Sequence, residues 1–238
     1  MSATLPGRVR TSAPGKYCEV IFELHEDDID ALQVRMAERL GVSRPAVSDM
    51  VQRMSTMGLV DVQDGRVALT PAGVEMAEQH VRRHRLAERL LVDVLGLGWA
   101  EAHELADSWQ QVIDDRTEQA IDSLLGSPAT CPHGNPIPGG SRSLAGADLG
   151  EVSPLAALAK GQRAQVVRVT ERLEVEPGML VELERAGLVP GTAVEVLSFG
   201  SGAMAVRASR DVLVVSTETA AAILVRAGDL VSLPVEPQ

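Results

Sequence analysis

Two neighbouring stretches carry side chains whose types and spacing suit a transition-metal site. In RRHRLAERLLVDVLGL, His84 and Glu88 stand four positions apart. On a helix they share a face, and both can reach one ion. In EAHELADSWQQVIDD, His103, Asp107, Gln110 and Gln111 fall at i, i+4, i+7 and i+8 and share a face in the same way. His103 could complete a three-ligand set with His84 and Glu88. Imidazole and carboxylate suit divalent ions, whereas the neutral amides of Gln110 and Gln111 are weaker donors. Spacing alone leaves three readings open for the second face: a metal site, the remnant of one, or a wet helix surface. A His/Glu pair on a helix is also often just a surface hydrogen bond. His25 and His80 have no partner at ligand spacing and read as solvated. His133, beside Cys131, could be a ligand but reads as a turn residue.

These side chains need helices, and the sequence supplies them in order. Tyr17, Val20, Ile21 and Leu24 form an i, i+3, i+4, i+7 stripe that ends in the acidic turn HEDD. In MAERLGVSRPAVSDMVQRMSTMG, Ala37 permits close helix approach, Gly41 takes the positive-φ turn and Val47 pins the second helix, the spacing of a helix-turn-helix. Ser43 is a natural N-cap, and Pro45 sits in the first turn. GLVDVQDGRVALTPAG follows, two alternating runs joined by Asp64-Gly65, a strong hairpin signal. Helix-turn-helix followed by hairpin is a winged helix. Arg35 and Arg39 on the first of its two helices, Arg44 and Arg53 on the second and Arg66 at the wing tip would form a local basic surface for phosphates flanking a major groove.

Thr70-Pro71 then caps a long helix to about residue 95, closed by Gly96. A second helix is expected from Trp99 to Ile113, and a third, capped by Asp114, to Leu125. Three helices with apolar faces and no catalytic loop suggest packing and dimerisation. The Gly-, Pro-, Ser- and Ala-rich stretch from CPHGNPIPGGSRSLAGADLG to about Lys160 reads as a linker. Beyond it AQVVRVTE, TAVEVLSF, AMAVRAS and DVLVVS are short strands around one helix in PGMLVELERAG, the pattern of a small, partly open β-barrel.

Bulk composition limits the functions available. The 238 residues, 45% hydrophobic and 23% charged, suffice for two or three small domains. The aromatics are Tyr17, Phe22, Trp99, Trp109 and Phe199, too few for base-stacking on single strands. A net charge of -11 argues against nonspecific polyanion binding, so a nucleic-acid role must rest on the local basic surface. Cys18 and Cys131 are lone, which fits a reducing compartment and excludes a zinc ribbon. No run approaches a membrane span, and a cytoplasmic protein without membrane contact is expected.

Taken together, RRHRLAERLLVDVLGL, HELADSW, CPHGNPIPG and RMAERLGVSRPAVSDMVQRM resemble the diphtheria-toxin-repressor family of iron- and manganese-dependent regulators. The resemblance spans nearly the whole chain. It implies a mainly α fold with small β parts. Residues 1–75 would form a winged helix-turn-helix DNA-binding domain, 76–140 a helical metal-binding and dimerisation domain, 141–160 a linker and 161–238 an SH3-like barrel similar to the small domain of ferrous-iron transport accessory proteins. It implies a homodimer on a pseudo-palindromic operator in double-stranded DNA. The recognition helix would present Ser43, Arg44, Pro45, Ala46, Ser48 and Asp49 to base edges.

Carried over position by position, the family's ancillary metal site falls on His84, Glu88, His103 and Glu176, with Met179 where an amide ligand is often found. The primary, activating site falls on Lys16, Asp107, Gln110 and Gln111, where ligands of higher affinity are usual. An ammonium inside a divalent site repels the ion, and glutamines do not compensate. The resemblance therefore implies one divalent transition ion per chain (Fe, Mn, Zn or Co) and a disabled primary site in which Lys16, facing Asp107, substitutes for the activating ion. In a manganese-type pattern Glu19 would instead act with His84 and Asp107. The expected function is a metal-linked transcriptional regulator of metal-homeostasis genes, most simply a repressor, with reduced metal dependence. The competing readings are a metallohydrolase, or a metal-buffering or interaction protein, using His84, Glu88 and His103.

Overall fold

The computed structural model describes residues 13–139, 152–208 and 211–227. Helix α1 (Ala13–Glu26) buries the Tyr17, Val20, Ile21 and Leu24 stripe. Helix α2 (Gln33–Leu40) stops at Gly41, whose φ of 64° is the left-handed turn that glycine adopts without strain. Helix α3 (Arg44–Thr56) starts at Ser43, whose hydroxyl accepts the Ala46 amide at 3.4 Å. Val47, Val51 and Met54 of α3 share a core with Met36 and Ala37 of α2, which sets the helix-turn-helix angle and leaves the opposite face of α3 in solvent. Strands β1 (Val60–Gln63) and β2 (Arg66–Leu69) form the wing, with both Asp64 and Gly65 at positive φ in the two-residue turn.

Helix α4 (Pro71–Arg89) is capped by Thr70, runs against α1, and ends in a wider-wound π-helical turn over Leu90–Val94. Helix α5 (Trp99–Trp109) packs on α4 and ends four residues before the expected Ile113, leaving Gln110 and Gln111 in the following turn. Helix α6 (Asp115–Leu124) starts at the Asp114 cap, whose carboxylate accepts the Thr117 amide at 2.8 Å.

The C-terminal unit is a six-stranded antiparallel sheet in the order β3-β8-β4-β5-β6-β7. Its strands are β3 (Val152–Pro154), β4 (Arg163–Val169), β5 (Ala193–Gly200), β6 (Ala203–Ala208), β7 (Asp211–Ser216) and β8 (Ile223–Ala227). Helices α7 (Glu171–Glu174), α8 (Met179–Arg185) and α9 (Thr217–Ala221) connect them. Residues 140–151 of the expected linker lie outside the described residues. Within the remainder, residues 152–157 form β3 and a short 3-10 turn: β3 pairs with β8, and Leu155 is fully buried in the sheet's core. Trp99 of α5 inserts into that same core, and the Glu184 carboxylate accepts the Trp99 amide at 3.1 Å, capping the start of α5. The third unit is thus packed onto the helical one rather than tethered to it.

Candidate metal centre and DNA-binding face

Four segments converge on Glu88. Helix α4 presents His84 and Glu88 one turn apart, with His84 Nε2 at 3.1 Å from Glu88 Oε1. From α5, His103 Nδ1 reaches the same oxygen at 2.9 Å. The loop after α6 contributes Cys131 and His133, whose Nδ1 lies 3.6 Å from Glu88 Oε1 and 3.8 Å from the Cys131 sulfur. Helix α7 contributes Glu174, whose Oε2 lies 3.3 Å from His103 Nδ1 and 3.1 Å from His133 Nδ1. Two ligand sets therefore share one carboxylate: His84, Glu88 and His103, and Glu88, Cys131 and His133, the atoms of each lying within 4.8 Å of one another.

The loop reaches this position through backbone geometry. The Cys131 amide bonds the Asn135 carbonyl and the Val169 amide bonds the His133 carbonyl, both at 2.8 Å, tying the loop to itself and to β4. At Gly134, φ is 91° and a Cβ would stand 2.2 Å from the Val167 carbonyl oxygen, so only glycine fits.

The cluster is buried and its electrostatics are strongly coupled. Burial opposes the charge on His103, yet hydrogen bonds to Glu174 and Glu88 outweigh it and hold its pKa at about 11. Burial would raise Glu174, but His133 and the hydrogen bond to His103 bring it down to about 2. Burial keeps the Cys131 thiol up at about 11. His84 Nδ1, Glu88 Oε2 and His133 Nε2 are buried with no hydrogen-bond partner. Buried polar atoms normally find partners, so the orphaned Glu88 Oε2 and His133 Nε2 beside ligand-competent groups fit a cation's coordination, while His84 Nδ1 faces the other way, 3.5 Å from Asp107 Oδ1, where Glu19 Oε2 is orphaned as well. The donor set of imidazoles, carboxylates and a thiol fits a divalent transition ion.

A second group, Glu19, His84 and Asp107, lies on the α1 side of the cluster, again within 4.8 Å. Here the Lys16 ammonium is the cation. Its Nζ lies 2.8 Å from Asp107 Oδ1 and 3.3 Å from Glu19 Oε1, joining α1 to α5. The opposing carboxylates outweigh burial and hold Lys16 protonated, well above its usual pKa. Gln110 Nε2 donates to Asp107 Oδ1 at 3.3 Å, and Gln111 Nε2 donates to the Asp107 carbonyl at 3.1 Å. Both amides thus donate to Asp107, and Gln110 Oε1 is buried without a hydrogen-bond partner.

On the winged helix, Ser43, Arg44, Pro45, Ala46, Ser48, Asp49 and Arg53 are all exposed on α3 and the turn before it. Among the described residues Arg44 and Arg53 make no ion pair. Arg66 at the wing pairs with Asp30 at 3.3 Å, and Arg35 donates to the Asp30 carbonyl at 3.0 Å. Arg39 departs from the basic surface expected of it. Its side chain is only 10% exposed and pairs with Glu23 at 3.1 Å and Glu171 at 3.7 Å. It reaches across to Glu171 at the start of α7, a partner that the periodicity of α2 alone does not reveal.

Three family models cover the chain in succession: the iron-dependent repressor N-terminal DNA-binding domain over residues 11–68, the iron-dependent repressor metal-binding and dimerisation domain over 70–139, and the FeoA domain over 153–227. The iron-dependent repressor IdeR of Mycobacterium tuberculosis is 38% identical over 197 residues, covering 80% of this chain and 86% of its own. The chain belongs to the iron-dependent repressor family. The diphtheria toxin repressor of Corynebacterium diphtheriae is 36% identical over 186 residues, covering 76% and 82%. A solved manganese-dependent transcriptional repressor in complex with manganese superposes with a TM-score of 0.79 at 31% identity, over 90% of this chain and all of that one.

As a member of the iron-dependent repressor family the protein is a metal-dependent transcriptional repressor and not an enzyme. No helix among its described residues is long and apolar enough to cross a membrane. Within that frame two site residues differ from the expected set. The carboxylate from the SH3-like unit that meets the cluster is Glu174, whereas Glu176 lies half-buried in the turn between α7 and α8. His133, read as a turn residue, is fully buried among the ligand-competent groups. The signal available in the sequence was the Cys-Pro-His run itself, two donor types one residue apart in a loop.

Proposed function

We propose that this iron-dependent repressor family member represses metal-homeostasis genes, holds one divalent ion per chain at the cluster around Glu88, and depends on metal for operator binding less than its relatives. His84, Glu88 and His103, with Cys131, His133 and Glu174 in reach, would hold the ion. The thiol of Cys131 favours Zn, Co or Fe over Mn. The bound ion would supply a charged tie between α4, α5, the 131–139 loop and the SH3-like unit.

The observation that carries the reduced dependence is the Lys16 ammonium between Glu19 and Asp107, at 3.3 and 2.8 Å. A tethered cation there joins α1 of the DNA-binding domain to α5 at every metal concentration. Exposed Val94, Leu95, Val112 and Leu124, at the ends of the helices in the domain matched to dimerisation, support pairing of two copies through this unit. Two α3 helices so held would enter successive major grooves of a pseudo-palindromic operator.

The test is a gel shift of the purified protein on enriched operator DNA, with and without chelator, and metal content measured on the same sample. One ion per chain and retained binding in chelator are expected. Two ions per chain at saturation with Fe(II) or Mn(II), or binding that vanishes in chelator and returns fully with Mn(II), Fe(II) or Zn(II), would overturn the reading.

A further inference from the structure

The DNA-binding domain and the metal cluster are joined by a route separate from Lys16. Asp27, in the turn between α1 and α2, sends both carboxylate oxygens into the SH3-like unit. Its Oδ1 accepts from Arg168 Nη2 at 2.7 Å, and its Oδ2 accepts the Arg172 amide at 3.2 Å, in the first turn of α7. Arg168 Nε in turn donates to Asn135 Oδ1, and Asn135 Nδ2 donates to Glu174 Oε1. Asn135 also donates to the Val169 carbonyl at 3.1 Å. Every link from Asp27 to Glu174 is thus a hydrogen bond between charged or amide groups.

The relay is also buried. Asn135 is fully enclosed, and the side chains of Arg168, Asp27 and Glu174 are each less than a tenth exposed. Arg168 reaches the interface because β4 carries a bulge between Val166 and Arg168, a device that re-aims a side chain. Asn135 belongs to the same tight loop as Cys131 and His133, and Glu174 ends the four-residue helix that Asp27 caps. Asp27 therefore touches both supports of the cluster's third-domain carboxylate: the start of its helix and, through Arg168 and Asn135, its own Oε1. Groups that orient a metal ligand through hydrogen bonds tune affinity although they never touch the ion.

We infer that Asp27, acting through Arg168 and Asn135, is a positioning residue for the metal cluster: it aims Glu174 at His103 and His133 from the far side of the domain interface. Glu174 keeps Oε2 toward the two imidazoles because Oε1 is occupied by Asn135. Without Asp27, Arg168 keeps only the Glu26 carbonyl, at 3.4 Å, on the α1 side, so the guanidinium that orients Asn135 is held less firmly and the Asn135 bond that fixes Glu174 Oε1 is loosened. The inference rests on the metal reading above.

The experiment is a Co(II) titration of the full-length protein in competition with a chromophoric chelator, with the Co(II) d–d spectrum recorded at saturation. The expected result is that Asp27→Ala weakens Co(II) by about tenfold and alters the d–d bands, while Asp27→Asn, which keeps an oxygen toward Arg168 but turns an amide NH2 onto the Arg172 N–H, recovers only part of the affinity. In a Glu174→Gln background Asp27→Ala should cause no further loss. Arg168→Gln gives a second entry to the relay should Asp27→Ala not fold, and the same loss is expected. Wild-type affinity and spectrum in Asp27→Ala or Arg168→Gln, or an undiminished loss in the Glu174→Gln background, would overturn the inference and leave the metal reading standing. Absence of Co(II) binding by the wild-type protein would overturn both.

Discussion

Lys16 Nζ and Asp107 Oδ1, 91 positions apart in the chain, lie 2.8 Å from each other and connect the DNA-binding domain to the dimerisation domain without a metal ion. The pair is half in solvent, with the Lys16 side chain 37% exposed and that of Asp107 49%. An ion pair so placed contributes roughly 0.2–1 kcal/mol, the range of surface pairs, since water and salt screen it. Lys16→Met should therefore lower operator affinity in chelator by no more than about fivefold, which corresponds to roughly 1 kcal/mol. The double variant Lys16→Met with Asp107→Asn should lose little beyond the single one, the coupling that a double-mutant cycle reads. Fully additive losses would show that Lys16 acts on DNA rather than through Asp107.

The arginines of the winged helix separate into two classes by their partners. Arg44 and Arg53 are exposed, and alanine at either position should weaken operator binding and reduce the slope of log K against log salt by about one, the signature of a lost phosphate contact. Arg39 is enclosed between Glu23 and Glu171. Removing it leaves the buried Glu23 without its ion-pair partner, at a cost on the order of 3 kcal/mol, while Glu171 keeps Arg85 at 2.7 Å. Arg39→Ala should lower the melting temperature and leave the salt slope unchanged. A reduced slope in Arg39→Ala would place that side chain on DNA after all.

The cluster's histidines make the stability of the metal-free protein depend on pH. His103 has a folded pKa of about 11 against 6.5 for a free imidazole. A raised pKa means that the folded state binds the proton more tightly. The resulting stabilisation is complete below pH 6.5, erodes above it and is gone once pH climbs through 11. Glu174 runs the other way: at about 2 against 4.5, its contribution is present above pH 4.5 and is lost as pH falls through 2. In chelator, the melting temperature should fall between pH 7 and pH 9.5, and His103→Gln should flatten that fall. A bound ion takes the place of the protons, so loading should release them and strengthen as pH rises. A pH-independent melting temperature in chelator would refute the buried imidazolium.

Much of this protein is determined locally and was therefore legible in the chain. Gly41, Ser43 and Pro45 set the helix-turn-helix, Asp64-Gly65 sets the wing, and Thr70 and Asp114 start their helices, because caps and turns need only residues a few positions apart. The pairing of His84 with Glu88 follows in the same way from one helical turn. Strand β8 and helix α9 have no local signature, because VSTETAAAILVRA neither alternates nor carries a clear turn signal. What only the tertiary structure decided is which way side chains point across domain boundaries. Glu174 and Glu176 are two positions apart, and the short α7 aims the first inward and ends before the second, a choice made by Asp27 at its start and Asn135 at its end. His133 becomes a buried member of the cluster because Gly134 lets its loop meet the Val167 carbonyl, a contact across more than thirty residues. Arg39 turns from the DNA side to Glu171 for the same reason. Periodicity specifies which face of a helix is buried, but a pairing such as Arg39 with Glu171 forms only when a distant segment comes close, and no spacing within α2 encodes the arrival of α7.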